Sequence, residues 1–198
     1  MSSPGVLILS APSGAGKTSL ARKLVESRQD VGLAVSHTTR PQRPGEADGV
    51  DYHFIDKAKF ETMIAAGQFI EHATVFGNHY GTSVTAVETL ISRGKHAILD
   101  IDWQGARNVR HKFPAARSVF VVPPSLAVLE QRLKLRKQDS DEVIASRMRL
   151  AMSEFSHKDE YDYIIVNDQF DQAFAELEAI LPVVCNSGRG NNRKIALD

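Results

Sequence analysis

The stretch APSGAGKT, residues 11–18, directly follows the apolar run VLIL at 6–9 and leads into a segment with leucines at positions 20 and 24. A strand, a glycine-rich loop ending in Lys-Thr and a helix form the context of a phosphate-binding loop, or P-loop. Its glycines allow successive backbone N–H groups to converge on phosphate oxygens at a helix N-terminus. The expected phosphate-binding residues are therefore Ala11, Pro12, Ser13, Gly14, Ala15, Gly16, Lys17 and Thr18.

Side chains near this loop predict chemistry on a phosphoryl group. Lys17 brings a positive charge to the β and γ phosphates, and the Thr18 hydroxyl is a ligand for Mg²⁺. Asp100 and Asp102 end the apolar segment ILDID, so we expect Asp100 to hold Mg²⁺ through water at the carboxyl edge of a parallel sheet. Asp102 directly precedes a helical segment, and a plain helix cap is its alternative role. The loop departs from the common pattern at Ala11, where a glycine is usual.

Short apolar runs elsewhere in the chain predict a parallel sheet. Runs at 6–9, 98–99, 119–122 and 164–166 lack polar alternation, which is typical of strands buried on both faces. Helical patterns lie between them, and this alternation predicts a doubly wound α/β domain. A further strand at 31–36 would bring the parallel core sheet to five strands, flanked by helices.

Two segments interrupt this alternation. Residues 38–83 hold a turn-rich loop, three short strands and a helix, which predicts an inserted lobe with its own small antiparallel sheet. Residues 125–157 are helical and basic, and the spacing of Asp139 and Glu142 predicts a capping box that begins a second helix there. The predicted organisation is a core of 1–37, 84–124 and 158–185, a lobe of 38–83, a lid of 125–157 and a flexible tail of 186–198.

Arginine pairs mark the lobe and the lid as candidate phosphate-binding elements. Arg40 and Arg43 lie three apart on a proline-stiffened loop that suits bidentate phosphate binding, although an exposed basic turn is the alternative. Arg132 and Arg136 share a helix face and Arg147 follows, for which a solvated amphipathic helix is the alternative. Beside a P-loop, such a lid would neutralise developing charge and exclude water.

Composition excludes several other classes of protein. With 42% hydrophobic and 24% charged residues in 198, the chain is not a disordered tail, and its 24 basic and 24 acidic residues cancel. No overall charge therefore favours nucleic acid or a membrane as a partner. The single cysteine forms no internal disulfide and the N-terminal apolar run is too short for a signal peptide, so we expect a cytoplasmic protein. The sequence does not indicate an oligomeric state.

Six motifs in order resemble the guanylate kinase family, and the resemblance runs from about residue 5 to 182. They are SAPSGAGKTSL, VSHTTRPQRPGEADGVDYHF, FIEHATVFGNHYGTS, ILDIDWQGARNVR, QRLKLRKQDSDEVIASRM and YDYIIVND. The resemblance implies transfer of the γ-phosphoryl group of ATP to GMP, giving ADP and GDP, with Mg²⁺. It also implies that both nucleotides are the partners of the chain.

The resemblance assigns roles to individual residues. Those expected to hold the GMP phosphate are Ser36, Arg40, Arg43, Tyr52 and Tyr80. Those expected to contact guanine are Glu71, Thr82 and Asp102. The lid would contribute Arg132, Arg136 and Arg147, which join Lys17 and Arg40 as expected catalytic residues. Asn167 would lie near the adenine of ATP.

The chemistry of guanine agrees with two acids in the site. Guanine offers two adjacent donors, N1–H and the exocyclic amine, whereas adenine has an acceptor at N1. Glu71 lies on an apolar strand, where an acid either protects a sheet edge or reads donors. Two alternatives stay open: a P-loop kinase of a phosphorylated sugar, which needs no such acids, and a non-catalytic guanylate-kinase-like module that binds phosphopeptides, which needs no intact P-loop.

Overall fold

The computed structural model describes residues 4–75, 77–135 and 140–184. Within these ranges the strands are β1 (Val6–Ser10), β2 (Val31–Leu33), β3 (His37–Thr38), β4 (His53–Phe54), β5 (Phe69–Val75), β6 (Asn78–Ser83), β7 (His96–Asp100), β8 (Arg117–Val122) and β9 (Tyr163–Val166). The helices are α1 (Lys17–Ser27), α2 (Lys57–Ala65), α3 (Val84–Ser92), α4 (Trp103–Lys112), α5 (Leu126–Leu135), α6 (Asp141–Phe155) and α7 (Phe170–Val184).

The larger sheet has the strand order β2-β7-β1-β8-β9, and all of its neighbouring strands pair in parallel. The predicted α/β fold with a five-stranded parallel core is confirmed. Strand β2 is shorter than predicted, because it ends at Leu33 and Ala34 makes the last backbone hydrogen bond to β7, at 2.9 Å. The carbonyl of Ser36 instead accepts the His53 N–H of the second sheet, so the chain has left the core by this point.

Helices cover both faces of the core sheet. Leu7 and Leu9 of β1 pack into one apolar cluster with side chains of α1 and α7, whereas Ile8 packs into the opposite cluster with side chains of α3 and α4. Each of these β1 side chains is fully buried, which stabilises the fold by roughly 2 kcal/mol apiece. Burial on both faces explains why the strands read as continuous apolar runs in the sequence.

The second sheet has the order β4-β3-β6-β5 and takes its strands from residues 37–83. The prediction of three antiparallel strands was wrong in two respects, since there are four strands and β3 pairs in parallel with β4. The strand that the prediction lacks is β3, which has only two residues, too few to give a periodic signal. Phe60 of α2 stacks on Phe69 with ring centroids 4.5 Å apart and closes the apolar side of this sheet.

Helices α5 and α6 pack together through a small apolar cluster that includes Leu129, Leu133 and Ile144. The cap of α6 is Ser140, whose hydroxyl accepts the Val143 N–H at 3.4 Å, so the helix begins one residue later than a cap at residue 139 would place it. Three predictions lie outside the described residues: the Asp139 cap, the lid residue Arg136 and the tail at 186–198. Among the helices described, none has the length and apolarity needed to cross a membrane.

Candidate active site

The loop between β1 and α1 has a backbone that only glycine adopts readily. Gly14 and Gly16 have φ values of 99° and 95°, in the left-handed region. A Cβ atom at Gly16 would also collide with the side-chain amide of Asn167. No side chain in the described part of the chain caps α1, so its first N–H groups are available to an anion.

Ala11 fits this loop because its methyl group points into the protein. It is buried in the same apolar cluster as Leu9 and Leu20. The core therefore accommodates the departure from glycine at this position. The loop continues with a turn in which the Ala15 N–H donates to the Pro12 carbonyl at 3.0 Å.

Asp100 joins the two polar side chains that begin α1. Its Oδ1 lies 2.6 Å from the Lys17 Nζ, and its Oδ2 accepts the Thr18 hydroxyl at 2.9 Å. Lys17 also donates to the Ile101 carbonyl at 3.1 Å. Burial lowers the pKa of Lys17, but the nearby carboxylates outweigh burial and the net pKa is raised. Lys17 is therefore a permanent positive charge at the mouth of the P-loop.

The arginine loop of the second sheet is organised by an acid that the sequence analysis did not single out. One oxygen of Glu46 accepts the Arg40 guanidinium at 2.7 Å, and the other accepts the Arg43 backbone N–H at 2.8 Å. Burial raises the pKa of Glu46, but these two bonds outweigh it and lower the net pKa. The Arg40 guanidinium also lies 5.5 Å from the ring centroid of Tyr52. Arg40 is thus held by a salt bridge and an aromatic face.

Hydroxyl groups lie beside this loop. The rings of Tyr52 and Tyr80 meet edge to face at 5.9 Å, and burial raises the pKa of the Tyr52 phenol, which keeps it protonated as a donor. The Ser36 hydroxyl lies 2.9 Å from that of Thr82. Hydroxyl groups from β6 and from the residues that directly precede β3 and β4 therefore lie beside the arginine loop.

Glu71 is a buried acid rather than a guard of the sheet edge. It lies on the edge strand β5 but is only 5% exposed, and its Oε1 accepts both the Thr82 N–H at 2.8 Å and the Thr82 hydroxyl at 2.7 Å. Burial raises the pKa of Glu71 to about 7, and the nearby Asp102 adds to the rise. Edge protection needs an exposed charge, so the position of Glu71 favours the reading of hydrogen-bond donors.

Asp102 has the capping role that the sequence left open. Its Oδ1 accepts the Gly105 N–H at 2.8 Å at the start of α4. A Cβ atom at Gly105 would contact the Glu71 Oε2, so this glycine lets the two acids approach each other. Asp102 also lines the central cleft, and capping leaves it facing the same space as Glu71.

A cleft of about 540 Å³ joins the P-loop, the second sheet and α6. Most of the predicted site residues line it: Ala11, Pro12, Ser13, Gly14, Gly16, Lys17, Thr18, Ser36, Arg40, Arg43, Tyr52, Glu71, Tyr80, Asp100, Asp102 and Arg147. The structure thus brings to one cavity residues that are up to 136 positions apart in sequence, taking Ala11 and Arg147 as the extremes.

Comparisons with known proteins identify the family. A family model described as guanylate kinase matches residues 3–183. A guanylate kinase from Alkalilimnicola ehrlichii is 58% identical over 178 residues, which is 89% of this chain and 88% of that protein. One from Methylococcus capsulatus is 58% identical over 174 residues, covering 88% and 85%. The chain belongs to the guanylate kinase family.

A solved guanylate kinase structure agrees with this assignment. The crystal structure of guanylate kinase from Anaplasma phagocytophilum matches with a TM-score of 0.77 and 33% identity, covering 99% of this chain and 92% of the other. The likeness therefore extends to the second sheet and the α5–α6 pair as well as to the P-loop core.

Four predicted site residues that the structure describes lie outside the cleft lining: Ala15, Thr82, Arg132 and Asn167. Thr82 is fully buried behind Glu71. The Asn167 amide donates to the Ala15 carbonyl at 2.7 Å, and the Arg132 guanidinium donates to the Asn167 carbonyl at 2.9 Å. Through these two hydrogen bonds, Asn167 links Ala15 of the P-loop to Arg132 of α5.

Sequence reasoning missed three acids that line the cleft, Glu46, Asp51 and Glu154. The sequence signal that could have placed Glu154 in the cleft was its spacing from Arg147. Glu154 lies seven residues later, two turns along the same helix. Glu46 lies in a turn-rich segment without periodicity, so its link to Arg40 could not be read from spacing.

Proposed function

We propose that the chain is an ATP:GMP phosphotransferase in which the P-loop holds the donor phosphates and the second sheet holds GMP. The observation that supports this proposal is one cleft of about 540 Å³ that contains both sets of residues. Lys17 lies at one end, and the Arg40 loop lies at the other end with the paired acids Glu71 and Asp102. A phosphoryl group can pass directly between two phosphates held in such a cleft.

Donor binding relies on groups that are already in place. Backbone N–H groups at Gly14 and Gly16 take phosphate oxygens, and Lys17 stabilises charge on the transferring group. Because Lys17 is held by Asp100 and the Ile101 carbonyl, little reorganisation is needed when charge develops. Arg147, whose guanidinium donates to the Ser13 hydroxyl at 3.3 Å, supplies a second positive charge beside the loop.

The residues at the start of α1 fit a magnesium ion. The Thr18 hydroxyl and the Asp100 carboxylate are hard oxygen donors 2.9 Å apart, and Mg²⁺ prefers few protein oxygens together with waters and phosphates. We propose that Thr18 binds the ion directly and Asp100 through water. When bound, the ion neutralises charge on the β and γ phosphates.

The acceptor side divides into a phosphate end and a base end. Arg40, Arg43 and the hydroxyl groups of Tyr52, Tyr80 and Ser36 suit the GMP phosphate. Glu71 and Asp102 suit the N1–H and amine of guanine. The acceptor oxygen is already ionised at neutral pH, so this reaction needs no general base and no covalent intermediate.

The proposal also covers the division of the chain into domains and its location in the cell. We propose the core, lobe and lid as units with the boundaries given above, and a cytoplasmic location, which the single cysteine supports. The balanced charge supports small-molecule substrates rather than nucleic acid.

A coupled assay of ADP release tests the proposal, with GMP, AMP, CMP and UMP offered in turn. We expect rapid turnover with GMP and at least roughly 10⁴-fold lower kcat/KM with AMP. Turnover with a phosphorylated sugar alone would support the sugar-kinase alternative. Absence of turnover with every acceptor would support the binding module.

A further inference from the structure

The first turn of α4 carries Asp102, and the proposed lobe packs directly against this turn. Asp102 caps it by accepting the Gly105 N–H at 2.8 Å. The Glu71 Oε2 of β5 lies 2.5 Å from the place where a Cβ atom of Gly105 would stand. A second contact to the same turn comes from a different part of the chain.

Trp103, the residue after Asp102, stacks on His157. The centroids of the two rings lie 3.8 Å apart, and the ring planes are 16° from parallel. The Arg107 guanidinium, one turn further along α4, lies 4.8 Å from the centroid of the Trp103 ring. His157 lies two residues after the end of α6 and is the last residue of the proposed lid. The stack therefore joins the start of α4 to the end of the lid.

Glu160 holds the residues around this stack. Its carboxylate lies 2.7 Å from the His157 Nδ1 and accepts the Arg107 Nε–H at 2.8 Å. The Arg110 guanidinium donates to the Glu160 carbonyl at 2.6 Å. The hydrogen bond from Arg107 is the main cause that lowers the pKa of Glu160 to about 2, so this acid is charged at neutral pH. One ionised side chain thus holds His157 directly and the Trp103 ring through Arg107.

The body of α6 contacts the first turn of α4 less closely than the stack does. A cavity of about 380 Å³ lies between them, lined by Asp102 and Trp103 on one side and by Leu150 and Glu154 of α6 on the other. Side chains of α6 therefore do not pack tightly on this turn beside Asp102. The stack on His157 is a close contact of the same turn, and it fixes the turn from the direction of the lid.

We propose that Trp103 is a positioning residue that, through its stack on His157, holds Asp102 in the direction needed to read guanine. This inference rests on the proposed function, because Asp102 is taken to bind guanine. The Trp103 ring is not part of the lining of the central cleft, so it acts through Asp102 rather than by touching the nucleotide. Loss of the ring would let the turn shift and weaken guanine binding, whereas the P-loop lies on another strand and helix and would keep its shape.

Steady-state kinetics on the full chain test this inference from both sides of the stack. Trp103→Ala and His157→Ala each remove one ring, whereas Trp103→Phe and His157→Phe keep a flat ring in the same place. We expect each alanine variant to raise the KM for GMP roughly tenfold, the scale of one lost aromatic contact, and to narrow the preference for GMP over AMP by a similar factor. The phenylalanine variants should stay within about threefold of the parent, and the KM for ATP should remain nearly constant in all four.

Fluorescence provides a second readout. Trp103 is the only tryptophan of the chain, so its emission reports on the stack without a label. We expect GMP to change the emission of the parent, and the midpoint of the GMP titration to be about tenfold higher in His157→Ala. A stack that merely stabilised the fold would change the melting temperature and leave this midpoint where it is.

Controls separate this inference from the proposed function and from misfolding. Gln104→Ala removes an exposed side chain from the same turn and should match the parent. Thermal unfolding checks that each variant folds, and His157→Ala, which leaves α4 unaltered, serves if Trp103→Ala does not fold.

The possible outcomes can be told apart. A parent chain that fails to phosphorylate GMP defeats the proposed function and this inference with it. With an active parent, three results overturn the role of Trp103 alone: an unchanged KM for GMP in the folded alanine variants, an equal rise in the KM values for GMP and ATP, or phenylalanine variants as impaired as the alanine variants.

Discussion

The two ends of the cleft are built in different ways. At the donor end, a single loop of the chain offers backbone N–H groups, and its two positive-φ glycines set their direction. At the acceptor end, side chains come from separate segments of the chain, and Arg40 and Glu71 are each held by a second residue. Glu46 holds Arg40 and Thr82 holds Glu71, both at 2.7 Å.

This contrast shows which substitutions should weaken each kind of site. A backbone site depends on chain conformation, so most side-chain changes nearby leave it intact, except at Lys17, whose charge the backbone cannot supply. A side-chain site depends on pairs, so removing the supporting partner weakens it even when the contacting residue is untouched. Substitutions at the donor end should affect kcat, and those at the acceptor end should affect GMP binding and selectivity.

Lys17→Ala should have the largest effect and tests the donor end. We expect kcat to fall by on the order of 10² or more, because a preorganised positive charge on the transferring phosphoryl group is lost. Lys23→Ala, an exposed change on the same helix, is the matched control. Rapid-quench or coupled assays measure both. A folded Lys17→Ala variant with near-normal turnover would remove Lys17 from the chemistry.

Asp102→Asn tests selectivity at the acceptor end. Asparagine caps helices about as well as aspartate, so α4 should persist, but one acceptor oxygen becomes a donor that faces the guanine N–H groups. We expect kcat/KM for GMP to fall by roughly 10² while AMP changes little. Asp56→Asn, which alters the cap of α2 in the same way, is the control for capping alone.

The base-reading role can be contradicted directly. If Asp102→Asn and Glu71→Gln both leave the ratio of GMP to AMP turnover unchanged, these carboxylates are structural. The sugar-kinase alternative would then regain support.

Glu46→Gln tests whether the acceptor end depends on supporting pairs. Arg40 would lose its charged partner and the loop would lose part of its order, so we expect the KM for GMP to rise roughly tenfold. The kcat should change less. Glu61→Gln, an exposed acid on α2, is the matched control. Equal KM values in the two variants would show that Arg40 needs no support.

Glu71→Gln tests the burial of this acid through the pH dependence of stability rather than through activity. Burial raises the folded-state pKa of Glu71 from 4.5 to about 7, so the native state binds a proton that the unfolded state releases between these values. Stability should therefore fall as pH rises through this window, by about 3 kcal/mol for this group. The glutamine variant should lack this fall.

Chemical denaturation at pH 4.5 and 7.5 measures this difference. Glu26→Gln, an exposed acid on α1, should follow the parent at both pH values. Parallel curves for the parent and the Glu71→Gln variant would show that Glu71 is not a buried titrating group.

The sequence predicted the parallel core and the P-loop because their signals are local. Strands buried on both faces appear as apolar runs, and a phosphate loop appears as spaced glycines followed by Lys-Thr. The two-residue strand β3 gave no such signal, and its parallel pairing with β4 was missed. Ser140 rather than residue 139 caps α6, since serine and aspartate are both good caps and spacing alone cannot choose between them.

By itself, the sequence determined which residue types could bind phosphate and which segments would be strands of the core sheet, since glycine conformation, charge and apolar periodicity are properties of neighbouring residues. Only the tertiary structure decided which distant side chains meet. It paired Glu71 with Asp102 across Gly105 and attached Glu46 to Arg40. These pairings depend on strand register and helix packing, which bring residues together through burial of apolar surface elsewhere in the chain.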